Sequence, residues 1–297
     1  MSPMSANSNM KSRTAQFAII MALFLALLKM LVGFWMNSVA VLATAADSLL
    51  DLFTSSINFL SLRKSAEPPD REHPFGHGKA ESLAVLFQFM VISSTAGFIL
   101  WRAYQKFVSQ EPVRFLAPGL LALAISSLAS IYIARRLVSV GRQTESVALL
   151  ADSLHYRLDA FATGGTIVAL MLTWWRGWHW VDPTISLVIS LGILLAAARM
   201  GVRSIDELMD KQLPDETRRE IERIIEGFKP EILSYHNLRT RKSGAQKFID
   251  FHIVIPASRP FGEAHRLTEE LMARIQEQIP NADVMVHTDP QGEADRF

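Results

Sequence analysis

The sequence predicts an α-helical membrane protein of six transmembrane helices followed by a soluble α+β domain in the order αββαβ. Three observations carry this. Apolar residues concentrate before about residue 200, in runs long enough to cross a bilayer. Two of those runs contain ionisable residues one helical turn apart, Asp47 with Asp51 and His155 with Asp159. The remaining ninety or so residues are charged and switch between helical and alternating periodicity.

Six spans are expected, at roughly 15–36, 39–62, 82–104, 116–137, 146–175 and 180–200. The polar start through Gln16 carries Lys11 and Arg13 and precedes an apolar run broken only by Lys29. That run is the length of a full span and no small-residue cleavage site follows it, so it reads as a retained helix rather than a signal peptide. The third and fourth runs, Leu83 to Trp101 and Leu116 to Ile133, carry no charge and suit contact with lipid. The second and fifth hold nearly all the charge at bilayer depth, which places them inside the bundle. Asp182-Pro183 suits the start of the sixth helix, with an acid at the positive end of the dipole and proline in the first turn. Trp174, Trp175, Trp178 and Trp180 fit an aromatic belt at the outer interface. Lys11, Arg13, Arg63, Lys64, Arg71, Lys79, Arg135, Arg136 and Arg142 fall on one side, so both termini are expected in the cytoplasm.

Beyond Arg203, Pro214 to Phe228 has an acidic first turn and helical spacing of Ile221, Ile224 and Ile225. Leu233–Thr240 and Lys247–Ile255 read as strands around a Ser243-Gly244 turn, Gly262–Ile279 as an amphipathic helix, and Ala282–His287 as a last strand. The expected domains are a cytoplasmic tail (1–14), a transmembrane domain (15–208) and a cytoplasmic metal-binding and dimerisation domain (209–297).

Of 297 residues 49% are hydrophobic, the formal charge is +1 and there is no cysteine. The charge gives no reason to expect a nucleic-acid partner. Without cysteine, disulfides and thiolate metal sites are excluded, and metal ligands must be His, Asp, Glu or water.

Three constellations could carry chemistry. If the faces bearing Asp47, Asp51, His155 and Asp159 meet, three carboxylates and an imidazole make a tetrahedral N/O site suited to Zn²⁺. The same groups could instead form interhelical hydrogen bonds and ion pairs, with Lys29 or Arg157 as partners. Asp70, His73 and His77 place three donors within eight residues of a turn-rich loop, either a second metal site or a solvated loop. The soluble domain carries His236 and His252 on its first two strands, His265 on its second helix, and His287 with Asp289 on its last strand. They could converge as a multi-metal cluster, or each could be a hydrogen-bonded structural residue. Lys79 and Asp210 lie near the membrane surface and could pair.

The segments Asp47-Ser-Leu-Leu-Asp51, His73-Pro-Phe-Gly-His77-Gly-Lys-Ala-Glu81, Asp152-Ser-Leu-His155-Tyr-Arg-Leu-Asp159, His236-Asn-Leu-Arg-Thr, Phe251-His252, Glu263-Ala-His265 and His287-Thr-Asp289-Pro together resemble the cation diffusion facilitator family, in particular its bacterial YiiP/FieF-type zinc/proton antiporters. The resemblance covers the chain after its N-terminal tail. It implies a transport site of Asp47, Asp51, His155 and Asp159, a loop site of Asp70, His73 and His77, and a binuclear cluster of His236, His252, His265, His287 and Asp289. It further implies a metallochaperone-like tail domain, a homodimer in the bacterial inner membrane, and an interlock of Lys79 with Asp210. Of the eight histidines only His179 falls outside these sites. Pro74-Phe75 departs from the more polar pair of the relatives.

The expected function is export of Zn²⁺, with Cd²⁺ or Fe²⁺ as other candidate cargo, in exchange for H⁺ by alternating access; Zn²⁺ is also the expected ion of the tail domain. A metal sensor, a passive metal channel and a membrane-anchored metallohydrolase are the rivals. The hydrolase lacks a nucleophile or base beside the histidine-rich tail.

Overall fold

The computed structural model describes residues 3–35, 39–109, 117–176 and 180–292. It divides into two compact units, Met1–Ile205 and Asp206–Phe297.

The first unit is built from six long helices, α1 (Pro3–Trp35), α2 (Val39–Ser65), α3 (Lys79–Ser109), α4 (Ala117–Gln143), α5 (Val147–Arg176) and α6 (Val181–Leu208), the last ending just beyond its boundary. Large apolar side chains lie both in its core and on its outer surface. On α1 the buried residues include Ala15, Ala18, Ala22 and Ala26 beside Leu25, while Phe34 is 68% and Leu31 69% exposed. Small residues at this spacing let helices approach closely where lipid tails remove the hydrophobic drive for burying large ones. Accordingly α1 packs on α2 and α4, α4 on α5, and α2 on both α3 and α5. α6 meets α3 where Ile193 and Ala197 pack on Ile92 and Ala96.

Among the described residues, four helical segments are long and apolar enough to cross a membrane: Asn9–Val32, Lys79–Gln105, Leu123–Gln143 and Pro183–Leu208. The described parts of α2 and α5, which hold Asp51, Asp152, His155 and Asp159, contribute none of these segments. The residues expected as a polar N-terminal tail are helical from Pro3. Lys11, in that stretch, is anchored 2.9 Å from the buried carboxylate of Glu81, and Thr14 is also buried, so this turn has tertiary partners.

The second unit has the order α7 (Asp215–Glu226), β1 (Ser234–Ser243), β2 (Gln246–Ile255), α8 (Phe261–Gln278) and β3 (Ala282–Pro290), the αββαβ pattern expected. The sheet order is β1-β2-β3, with β1 antiparallel and β3 parallel to the central β2. The parallel pair is joined through α8, the crossover such a connection needs. Gly244 has φ of 61° and is the first of two residues between paired Ser243 and Gln246, where a type II′ hairpin takes glycine. Alternation on β2 sends Ile249, Phe251, Ile253 and Ile255 into one core with Ile221 and Ile225 of α7 and Leu271 and Ile275 of α8. The opposite face of the sheet is thereby left to the even-numbered residues of β2, including His252.

Candidate metal centres

The first centre lies between α2 and α5. His155 Nε2 is 2.8 Å from Asp51 Oδ1 and 3.5 Å from Asp159 Oδ2. One donor atom of each residue falls within 4.8 Å of the others, close enough to share a cation. His155 and Asp159 stack at four-residue spacing on α5, and the packing of α2 on α5 brings in Asp51. These side chains wall a cavity of about 210 Å³ that also meets Lys29, Ser48 and Thr54. Asp47 belongs to α2 one turn before Asp51, but its side chain lies outside the described residues.

A buried network braces the same two helices. Ser55 Oγ donates to Asp152 Oδ1 at 3.3 Å and is 3.1 Å from the Tyr156 hydroxyl, while Gln88 Nε2 reaches Asp152 at 3.5 Å. Ser55 follows Asp51 by one turn and Tyr156 follows His155, so the network ties together the backbone segments that carry two of the donors. Asp152 lies within the Asp152-to-Asp159 motif, but its partners on α2 and α3 are 97 and 64 residues away in sequence.

The second centre is the loop before α3. Asp70 Oδ1 accepts the backbone N–H groups of Glu72 at 2.9 Å and His73 at 2.6 Å, an Asx-type turn. His73 Nδ1 is 3.2 Å from Asp70 Oδ1 and His77 Nε2 is 3.3 Å from Asp70 Oδ2. The backbone hydrogen bond from His73 holds the Asp70 carboxyl below the usual carboxylate range. The group is therefore charged at neutral and mildly acidic pH and loses its charge only as pH falls through that lowered value. Gly76, with φ of 79°, turns the chain so that His77 points inward. His77 is buried, and among the described residues neither ring nitrogen meets hydrogen-bond geometry, Nε2 having only its 3.3 Å approach to Asp70. A buried imidazole in that state is costly, and coordination of a cation would satisfy it.

The third centre lies on the sheet face opposite α7 and α8. His236, His252 and His287 are direct partners across β1, β2 and β3, forming one row. Adjacent rings lie 4.9 and 4.8 Å apart. Asp289, two residues along β3 and on the same face, approaches all three: Oδ2 is 3.0 Å from His252 Nδ1 and 3.5 Å from His236 Nε2, and Oδ1 is 3.1 Å from His287 Nε2. Three imidazoles around one carboxylate fit a zinc-type ion in their donor chemistry. His265 is not brought to this row. It is on α8, which covers the other face, and there it is 60% exposed, 3.4 Å from Glu269 and stacked on Phe261.

Lys79 opens α3 in the first unit, while Asp210, in the second, is 3.5 Å from Arg241. Of the expected aromatic belt, Trp175 and Trp180 are exposed, and Trp174 and Trp178 lie outside the described side chains, as does His179.

Two family models match: the cation efflux transmembrane domain over residues 15–209 and the cation efflux protein cytoplasmic domain over 213–291. Relatives include the cation-efflux pump FieF of Klebsiella pneumoniae and that of Escherichia coli O1:K1 / APEC. Each is 39% identical over 279 residues, which is 94% of this chain and 92% of the relative. A solved chain of the putative zinc transporter CzrB is 36% identical over 27% of this chain and 99% of its own, with a TM-score of 0.25. With its transmembrane and cytoplasmic parts each matched, and with pumps at this identity over nearly its full length, the chain belongs to the cation diffusion facilitator family as a cation-efflux protein of the FieF type.

Proposed function

We propose that this efflux protein exports Zn²⁺ from the cytoplasm across the bacterial inner membrane in exchange for H⁺, working as a homodimer by alternating access. The observation that carries the reading is the seating of His155 between Asp51 and Asp159 at the wall of a cavity inside the helical unit. An imidazole among carboxylates suits Zn²⁺, whereas a site of carboxylates alone suits Mn²⁺ or Mg²⁺. Cd²⁺ and Fe²⁺ are the other cargo to be compared in the same assay.

The donors bind metal only when His155 is neutral and the carboxylates are ionised, so protons and cation compete for the same atoms. Facing the cytoplasm, the site takes up metal; facing a more acidic exterior, it is protonated and lets the metal go. No separate proton path is required. All six long helices span the bilayer in this reading, with α2 and α5 shielded by the others, and both termini are cytoplasmic. Asp47 completes the transport site one turn from Asp51. Asp70, His73 and His77 form a loop site near the cytoplasmic surface. His236, His252, His287 and Asp289 hold regulatory zinc in the 209–297 domain, with His265 apart from them in this protomer.

The test is Zn²⁺ flux in proteoliposomes with and without an imposed pH gradient, for the native protein and Asp51→Ala. The expected result is gradient-dependent flux in the native protein and its loss in the variant. Flux that ignores the gradient would instead indicate a channel, and absence of flux in the native protein a sensor.

A further inference from the structure

The metal-site reading leaves the ammonium of Lys29 without a role. A lysine in an apolar helix ordinarily extends along the helix until its charge reaches the headgroups. Lys29 turns inward instead. Its Nζ donates to Ser48 Oγ at 2.7 Å, and Ser48 is only 3% exposed. Ser48 precedes Asp51 by three residues, on the same face of α2. Lys29 and Ser48 line the cavity whose wall also carries Asp51, His155 and Asp159. A fixed positive charge thus borders a site whose donor chemistry is that of a cation.

We propose that Lys29 is a resident counter-charge of the transport cavity, one that weakens the hold of Asp51, His155 and Asp159 on a divalent ion and so hastens its release. This rests on reading that cluster as the cation site. The ammonium acts on both sides of the binding equilibrium. It repels the bound dication where water screens poorly, and it stabilises the ionised carboxylates when no dication is present. Both effects lower affinity. The Ser48 hydroxyl gives the ammonium a neutral acceptor, which holds it on the cavity wall rather than on Asp51. Lys29 therefore changes the energy of the carboxylates without taking the place of the cargo. A site without it would bind metal more tightly and turn over more slowly, because release from a tighter site has further to climb.

The experiment compares native, Lys29→Met and Lys29→Arg full-length protein. Zn²⁺ flux is measured in proteoliposomes and Zn²⁺ binding to detergent-solubilised protein by titration calorimetry. Lys29→Met is expected to lower the half-saturating Zn²⁺ concentration and the dissociation constant by about tenfold or more, with a reduced maximal rate. Lys29→Arg, which keeps the charge, is expected to stay near the native values on both readouts. A purely packing role for Lys29 would not produce tighter binding, nor be rescued by charge alone. Unchanged or weaker Zn²⁺ binding in a folded Lys29→Met overturns the proposal, as does Lys29→Arg behaving like Lys29→Met. If Lys29→Met does not fold, Lys29→Gln carries the same test with the same expected signs. Failure of the native protein to move Zn²⁺ would remove the transport reading itself, whereas native transport with indifferent variants removes only the role of Lys29.

Discussion

Glu81 shows how much a single side chain can hold together in this fold. Its carboxylate is 1% exposed, 2.9 Å from Lys11 on α1, and receives the hydroxyl hydrogens of Ser146 at 2.6 Å and Ser65 at 3.2 Å. Four elements therefore meet on one charge: α1, α2, α3 and the entry to α5. Removing one member of a buried ion pair leaves the other without compensation, so Glu81→Ala is expected to cost about 3–5 kcal/mol. Thermal unfolding in detergent should show a markedly lower midpoint, with a smaller loss for Glu81→Gln, which keeps two polar atoms in place. The role could not be read in sequence, because Lys11 and Ser146 are 70 and 65 residues away. The donor residues were legible for the opposite reason. Asp70, His73 and His77, or His155 and Asp159, are separated by steps that a turn or a helix converts directly into proximity. His265 lies beyond the reach of that logic: it sits on α8, across the sheet from the histidine row of the same protomer.

Between helices, close approach depends on what is missing as much as on what is present. Gly201 on α6 faces the ring of Phe89 on α3, where an added Cβ would lie 2.8 Å from the nearest ring atom. A rigid aromatic ring cannot withdraw as the tip of a flexible chain can, so Gly201→Ala should push α6 from α3. The expected cost is about 1–3 kcal/mol, read as a lowered unfolding temperature, and Phe89→Leu in the same chain should recover part of it. The elements of the second unit were legible because alternation along β2 and the isoleucine spacing of α7 each match a single period. The kink inside β1 was not. Pairing slips between His236 and Arg239, where Asn237 takes φ of 54°, a conformation that asparagine tolerates better than most residues. That bulge follows directly on the first histidine of the row, so the strand is bent just where its side chain contributes to the cluster.

At the scale of the whole chain, a centre inside the helical unit and a centre in the tail have different chemistry and are expected to respond differently to mutation. Asp51, His155 and Asp159 line a cavity between helices, whereas His252 and His287 belong to a row on a sheet face. If zinc on that row biases the helices toward their working states, a His252→Ala, His287→Ala double variant should keep basal flux and lose the rise in rate with cytoplasmic Zn²⁺. Proteoliposome flux across a zinc titration checks this, and identical curves for variant and native protein would refute a sensing role. The two membrane-side centres differ in another respect, the distance along the chain over which each is assembled. The Asp70 loop gathers its donors within eight residues and ties them through its own backbone, while Asp51 and His155 are 104 residues apart. During synthesis the loop leaves the ribosome long before α5 has been made, so its donors face the surrounding metal pool before the cavity exists. The loop can thus take its shape from its own backbone before the helices that wall the cavity have all been made.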